Sequence, residues 1–115
     1  EYPFACSDES SALAIGTVIT FRMPFAMTLS SVRSSLNVAS TLSNFIVDVK
    51  ENGTTIFSTL LSIDASEKTS VTAATPAVIS DINLADDAEI TVSTTQIGSG
   101  DTGKGLKILF KGRKA

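Results

Sequence analysis

The stretch from Asn44 to Ile63, NFIVDVKENGTTIFSTLLSI, constrains the fold more than any other. Phe45, Val47 and Val49 alternate with Ile46, Asp48 and Lys50, the period-two pattern of a strand with one face toward a core. Asn52-Gly53 follows. This pair tolerates the two positive-φ positions of a type I′ turn, the connection that matches the twist of paired strands. Ile56 and its neighbours then return as the partner strand. The hairpin sits near the middle of the 115-residue chain, with half of the chain on either side.

Those halves carry the same signature. GTVITFRM places Val18 and Thr20 on one face and Ile19, Phe21 and Met23 on the other, and Pro24 ends the ladder for want of an N–H. TLSSVRSSLNVA alternates through Val32, Ser34, Leu36 and Val38. Leu29, Val32 and Leu36 also fit a helical spacing, but serine and β-branched residues are poor helix formers, and a strand is expected. A loop containing Asp81, Asp86 and Asp87 precedes a strand with Ile90 and Val92 inward. LKILFKG turns Leu106, Ile108 and Phe110 one way and Lys107 and Lys111 the other. LSIDASEKTS reads as a strand end and a polar loop, with a short helical turn expected at Ala65–Lys68. GSGDTGKG reads as a flexible hairpin loop.

Seven or eight short strands at about 8–12-residue spacing predict an all-β protein, an antiparallel sandwich or barrel. Strand never alternates with long helix, which excludes an α/β architecture. No linker divides the chain, so residues 1–115 are expected to form a single domain. A hydrophobic fraction of 43% supplies one core. Mean hydropathy is high, at +0.26, yet no apolar run approaches the roughly 20 residues of a bilayer-crossing helix, and no membrane insertion is expected. The chain starts at Glu1 without a methionine, as a processed protein or a piece of a longer one would.

Residue types narrow the chemistry. Histidine is absent, which excludes Ser–His and Cys–His catalysis and the commonest metal ligand. Cys6 is the single cysteine and has no internal disulfide partner; acids follow it closely, so it is expected to be a small buried apolar residue and not a nucleophile. A glycosidase would draw its two carboxyls from Asp48, Glu51, Asp64, Asp81, Asp86, Asp87 and Glu89. Acids at a hairpin approach, as Asp48 and Glu51 are, are ordinarily solvated. Asp81, Asp86, Asp87 and Glu89 are also the oxygen ligands a calcium ion would use, although their spacing lacks the EF-hand order. The plainer reading is a polar loop, with no cofactor and no metal. GSGDTGKG departs from the Walker pattern, because Gly105 follows Lys104 and a strand comes next.

Aromatic platforms for sugars are scarce. There is no Trp and one Tyr; Phe21, Phe45 and Phe110 fall on apolar faces, which leaves Phe4, Phe25 and Phe57 for exposure. A net charge of −3 argues against nucleic acid. Lys104, Lys107, Lys111, Arg113 and Lys114 cluster late in the sequence, where a solvated strand face plus a tail is the simplest account and a polyanion contact the alternative.

Five blocks together resemble a family of tail-fibre and virion surface proteins of tailed bacteriophages. They are FRMPFAMTLSSVRSSL at Phe21–Leu36, VDVKENGTTIFST at Val47–Thr59, LSIDASEKTS at Leu61–Ser70, TAATPAVISDINLADDAEIT at Thr72–Thr91, and GLKI at Gly105–Ile108. The likeness runs from Leu13 to Gly112; Asn52-Gly53-Thr54 replaces the Gly-Gly-Thr turn usual there. The resemblance implies a jelly-roll-like β-sandwich, the C-terminal module of a longer fibre or spike chain. It also implies a non-enzymatic structural or adhesion role as tail fibre, head fibre or capsid decoration on the virion exterior. Implied partners are a homotrimer, other virion proteins and a host-surface glycan. A stand-alone carbohydrate-binding module is the alternative. Receptor contact is expected on the loops Gly98–Gly103 and Ala65–Thr69, since loops carry function while a sandwich holds them.

Overall fold

The computed structural model describes residues 2–5 and 15–114. Cys6 and the side chain of Phe4 lie outside the described residues. The central hairpin forms as its sequence requires. Strand β4 (Phe45–Glu51) reverses at Asn52-Gly53, whose φ angles of 50° and 86° are both positive, and β5 (Thr54–Thr55) returns with Lys50 opposite Thr55.

The rest of the chain is arranged around this reversal, each later strand pairing with an earlier one in mirror order. Strand β7 (Leu61–Ile63) continues the hairpin on β4. Beyond it, β3 (Met27–Ser35) pairs with β9 (Asn83–Leu84), β2 (Gly16–Arg22) with β10 (Glu89–Gln96), and β1 (Tyr2–Ala5) with β11 (Lys107–Lys114), all antiparallel. The nested pairs do not lie flat. One sheet has the order β1-β11-β3-β9 and the other β2-β10-β4-β5, with β7 also on β4. A long hairpin rolled into two facing sheets is the jelly-roll arrangement, and it selects the sandwich over the barrel.

Alternation builds the core. Phe45, Val47 and Val49 from β4, Ile90 and Val92 from β10, and Ile108 and Phe110 from β11 are buried together. Phe21 of β2 meets Phe110 across the two sheets, ring centroids 6.4 Å apart and tilted by 39°. Strand β3 needs a device to stay in phase. Met27 and Leu29 point inward, but so do Val32, Ser34 and Leu36, so the alternation flips at Ser30-Ser31. One extra residue there makes a bulge against Lys111 and Gly112, and the Ser30 hydroxyl donates to the Lys111 carbonyl at 3.1 Å. Opposite the bulge only glycine fits: a Cβ on Gly112 would collide with the Thr28 carbonyl oxygen.

The return strand departs from a plain ribbon. Between Thr55 and Leu61 it swings out as β6 (Phe57–Thr59) to pair with β8 (Val78–Ile79), a small sheet of its own. Asp48 helps set this excursion. It is 7% exposed, not solvated as its hairpin position suggested, and accepts the Thr55 hydroxyl, whose oxygen in turn accepts the Phe57 N–H at 3.2 Å. Phe57 is core at 3% exposure and Phe25 is half-buried against it, so neither is the exposed aromatic expected.

Two local expectations are corrected. Helical turn occurs at Ser70–Thr72, capped by the Thr69 side chain, and not at Ala65–Lys68, where Ser66 takes a φ of 68° instead. Residues 98–105 are no loose hairpin loop, because β10 and β11 lie in different sheets. The segment is tied to residues 37–41: Thr41 N–H donates to the Asp101 carbonyl, and Lys104 and Val38 exchange backbone bonds. A Cβ on Gly98 would sit 2.8 Å from the Thr41 nitrogen, so the close approach itself requires glycine.

Candidate interaction surface

Three depressions run in series along β3. The edge of this strand is occupied at both ends. Near its start it pairs with β9, and the Leu29 N–H donates to the Ile82 carbonyl at 2.7 Å. Near its end, Ser34 N–H donates to the Ser70 hydroxyl at 2.9 Å and Leu36 N–H to the Lys68 carbonyl at 2.9 Å. Between these anchors, Ser30 to Arg33 face a hollow of about 530 Å³. Its far wall is apolar and open to solvent: Val71 is 61% exposed, Val78 52% and Ile82 44%. Arg33 and Val71 also border a second depression with Ser35, Thr69, Lys107 and Leu109, and Ser30 borders a third with Thr28 and Arg113.

The electrostatics of this face follow from which segments the fold pairs. Residues 23–47 and 102–115 contain no Asp or Glu. The roll brings these two acid-free segments side by side as β3 and β11, and the other strands of that sheet, β1 and β9, carry no carboxylate either. Leu109 stands opposite Arg33, Lys111 opposite Ser31, and Arg113 opposite Thr28. Since Ile108 and Phe110 point inward, the outward side of β11 holds Lys107, Leu109, Lys111 and Arg113. The clustered late lysines thus belong largely to a strand face, as expected, and Arg33 joins them. Arg33 was missed in the sequence because it lies far from the late cluster. The absence of acids from both segments was the available signal.

Carboxylates sit elsewhere, and four of those described accept backbone N–H groups. Asp64 accepts the Ala74 N–H at 2.9 Å, and Asp101 accepts the Gly103 N–H at 3.3 Å. Glu89 pairs with Arg22 at 3.9 Å across β10 and β2. Asp87 holds a φ of 61° in an exposed turn, its carbonyl accepting from Arg22, and Asp86 beside it is exposed. The proposed calcium set does not gather: Asp81 lies against Glu51 and not with Asp86, Asp87 and Glu89. No group of three potential metal-ligating side chains converges among the described residues.

Glu51 and Asp81 do come together, at the rim where the hairpin end meets the β8–β9 loop. Glu51 Oε2 accepts the Ala85 N–H at 2.7 Å, Asp81 Oδ1 accepts the Asn83 N–H at 3.2 Å, and the two carboxyls hydrogen-bond to each other. Burial, then the shared bond and the nearby Asp81 charge, push Glu51 above the usual carboxylate range, against a lowering from the Ala85 amide. Carboxyls in direct contact leave no room for a sugar between them, whereas glycosidases separate theirs by about 5 Å or more. The arrangement is a carboxyl pair that clamps two turns.

Of the expected receptor loops, Ala65–Thr69 ends at the trough, with Thr69 on its border, while the Gly98–Gly103 segment belongs to the bonded seam with residues 37–41. No protein-family model matches the chain, and no curated protein or solved structure is significantly similar to it.

Proposed function

We propose that the chain is a non-enzymatic structural and adhesion module on the exterior of a bacteriophage particle, as tail fibre, head fibre or capsid decoration, and that it works as a homotrimer. The observation that carries this reading is the solvent-exposed apolar wall of Val71, Val78 and Ile82 beside an open stretch of strand edge. Side chains of that size gain about 1.5–3 kcal/mol each when fully buried, and a neighbouring copy is the cover a self-assembling module provides. Two further points support it. The sequence blocks between Leu13 and Gly112 resemble virion surface proteins. The rolled two-sheet architecture is one that viral capsid domains use, an analogy of fold alone.

Mass photometry of the purified chain at micromolar concentration tests the reading. A trimer is expected, and Val78→Lys should shift the population to monomer, because it places a charge in the apolar wall. A wild-type monomer would contradict self-assembly. The serine-rich trough favours a second reading, a stand-alone carbohydrate-binding module. A monomer that binds neutral glycans on an array would select it.

A further inference from the structure

We propose that the outward face of β3 and β11 binds a phosphate-bearing cell-surface polymer, an extended chain of phosphodiester-linked polyols. This inference rests on the surface-module reading above and names the partner of its attachment face. The face combines three properties. First, it is cationic although the chain as a whole is anionic: Arg33, Lys111 and Arg113 project from strands that carry no acid, while the net charge is −3. None of these three side chains forms an ion pair among the described residues. The carboxylates of the flanking loops are turned to other groups, Glu67 to the Thr72 hydroxyl and Asp81 to Asn83.

Second, the charges are spaced regularly. Alternate residues on a strand lie about 7 Å apart, which separates Lys111 from Arg113, and Arg33 on the adjacent strand fills the interval beside Leu109. A ladder of cations at that interval suits a polymer with one phosphate per short repeat. Third, hydroxyls stand beside the charges on the outward face, Ser31 opposite Lys111, Thr28 opposite Arg113 and Ser35 opposite Lys107, while the apolar wall beyond the β3 edge is left to the neighbouring subunit. Together with guanidinium forks, these hydroxyls are donors for phosphate and polyol oxygens. Single-stranded nucleic acid fits less well. It needs aromatic platforms for its bases, and no aromatic side chain lines the trough.

Isothermal titration of the purified chain with poly(glycerol phosphate) tests this, with dextran and a single-stranded oligonucleotide as comparison arms. Binding is expected for the phosphate polymer alone. Its affinity should fall with a log–log salt slope of roughly −2 to −3, on the order of 30-fold for a fourfold rise in salt. Arg33→Ser combined with Arg113→Ser should weaken binding at least about tenfold and remove about two units of that slope. Arg22→Ser combined with Lys50→Ser, an equal charge loss on the other sheet, should leave binding unchanged. Equal binding of dextran, tighter binding of the oligonucleotide, or an unaffected double variant would overturn the proposal. Absence of any binding would overturn it too. Subunit mass is read separately, so a trimer that ignores the polymer would sink this inference and leave the structural module standing.

Discussion

Glu51 ties two chain reversals together, and its chemistry gives that tie a pH dependence. Its folded pKa is raised, so between the ordinary carboxylate value and the raised one the folded chain binds more protons than the unfolded chain. Stability contributed by protonated Glu51 is therefore present at low pH and lost as pH rises through the folded pKa. Glu51→Gln keeps an acceptor for Ala85 and supplies Asp81 with a permanent donor. The variant should melt higher than wild type near neutral pH, by about 0.5 kcal/mol or less, since the pair is partly open to water. The difference should shrink toward acidic pH. Thermal melts of both proteins across that range check this; a gap that widens on acidification would refute the raised Glu51 pKa. Nothing in the sequence pairs Glu51 with Asp81. They are brought together by the fold of the β8–β9 loop, and the buried Asp48 likewise escaped notice because one strand's alternation does not show what neighbouring strands cover.

At the scale of elements, two glycines mark where the roll tolerates no side chain, for different reasons. Gly53 supplies the second positive φ of the central turn, with open space around it, so Gly53→Ala should cost about 1–2 kcal/mol through backbone strain alone. Gly112 faces the Thr28 carbonyl across the β3 bulge, so Gly112→Ala must push two strands apart and should cost more. Urea titrations of the two variants should rank them in that order; the reverse ranking would mean that the bulge is not closely packed. These elements were also the most legible. The hairpin, the inward sets of β4, β10 and β11, and the strand character of β3 follow from period-two alternation and turn chemistry. The excursion of β6 to β8 was hidden, since it depends on pairing between residues about twenty positions apart in a stretch without clean alternation. The Gly-rich segment was misread because glycine serves close backbone approach as readily as flexibility, and only the neighbour at Thr41 distinguishes the two.

On the scale of the whole molecule, the all-β sandwich was readable from the sequence because the longer strands, β2, β3, β4, β10 and β11, announce themselves locally, while the short β1, β8 and β9 do not. Strand order was not, since composition carries no sign of the sheet each strand joins. The same holds for the trough. Its serines, its arginines and its apolar wall are scattered from Thr28 to Arg113, and rolling the hairpin assembles them. The proposed function puts this assembled surface on the outside of a virus particle. Immunogold electron microscopy of purified, intact particles, with antibody raised against this chain, tests it most directly. Gold at regular external positions on fibre, spike or capsid is the predicted result. Unlabelled particles, with the antigen recovered only in the soluble fraction of the lysate, would contradict it.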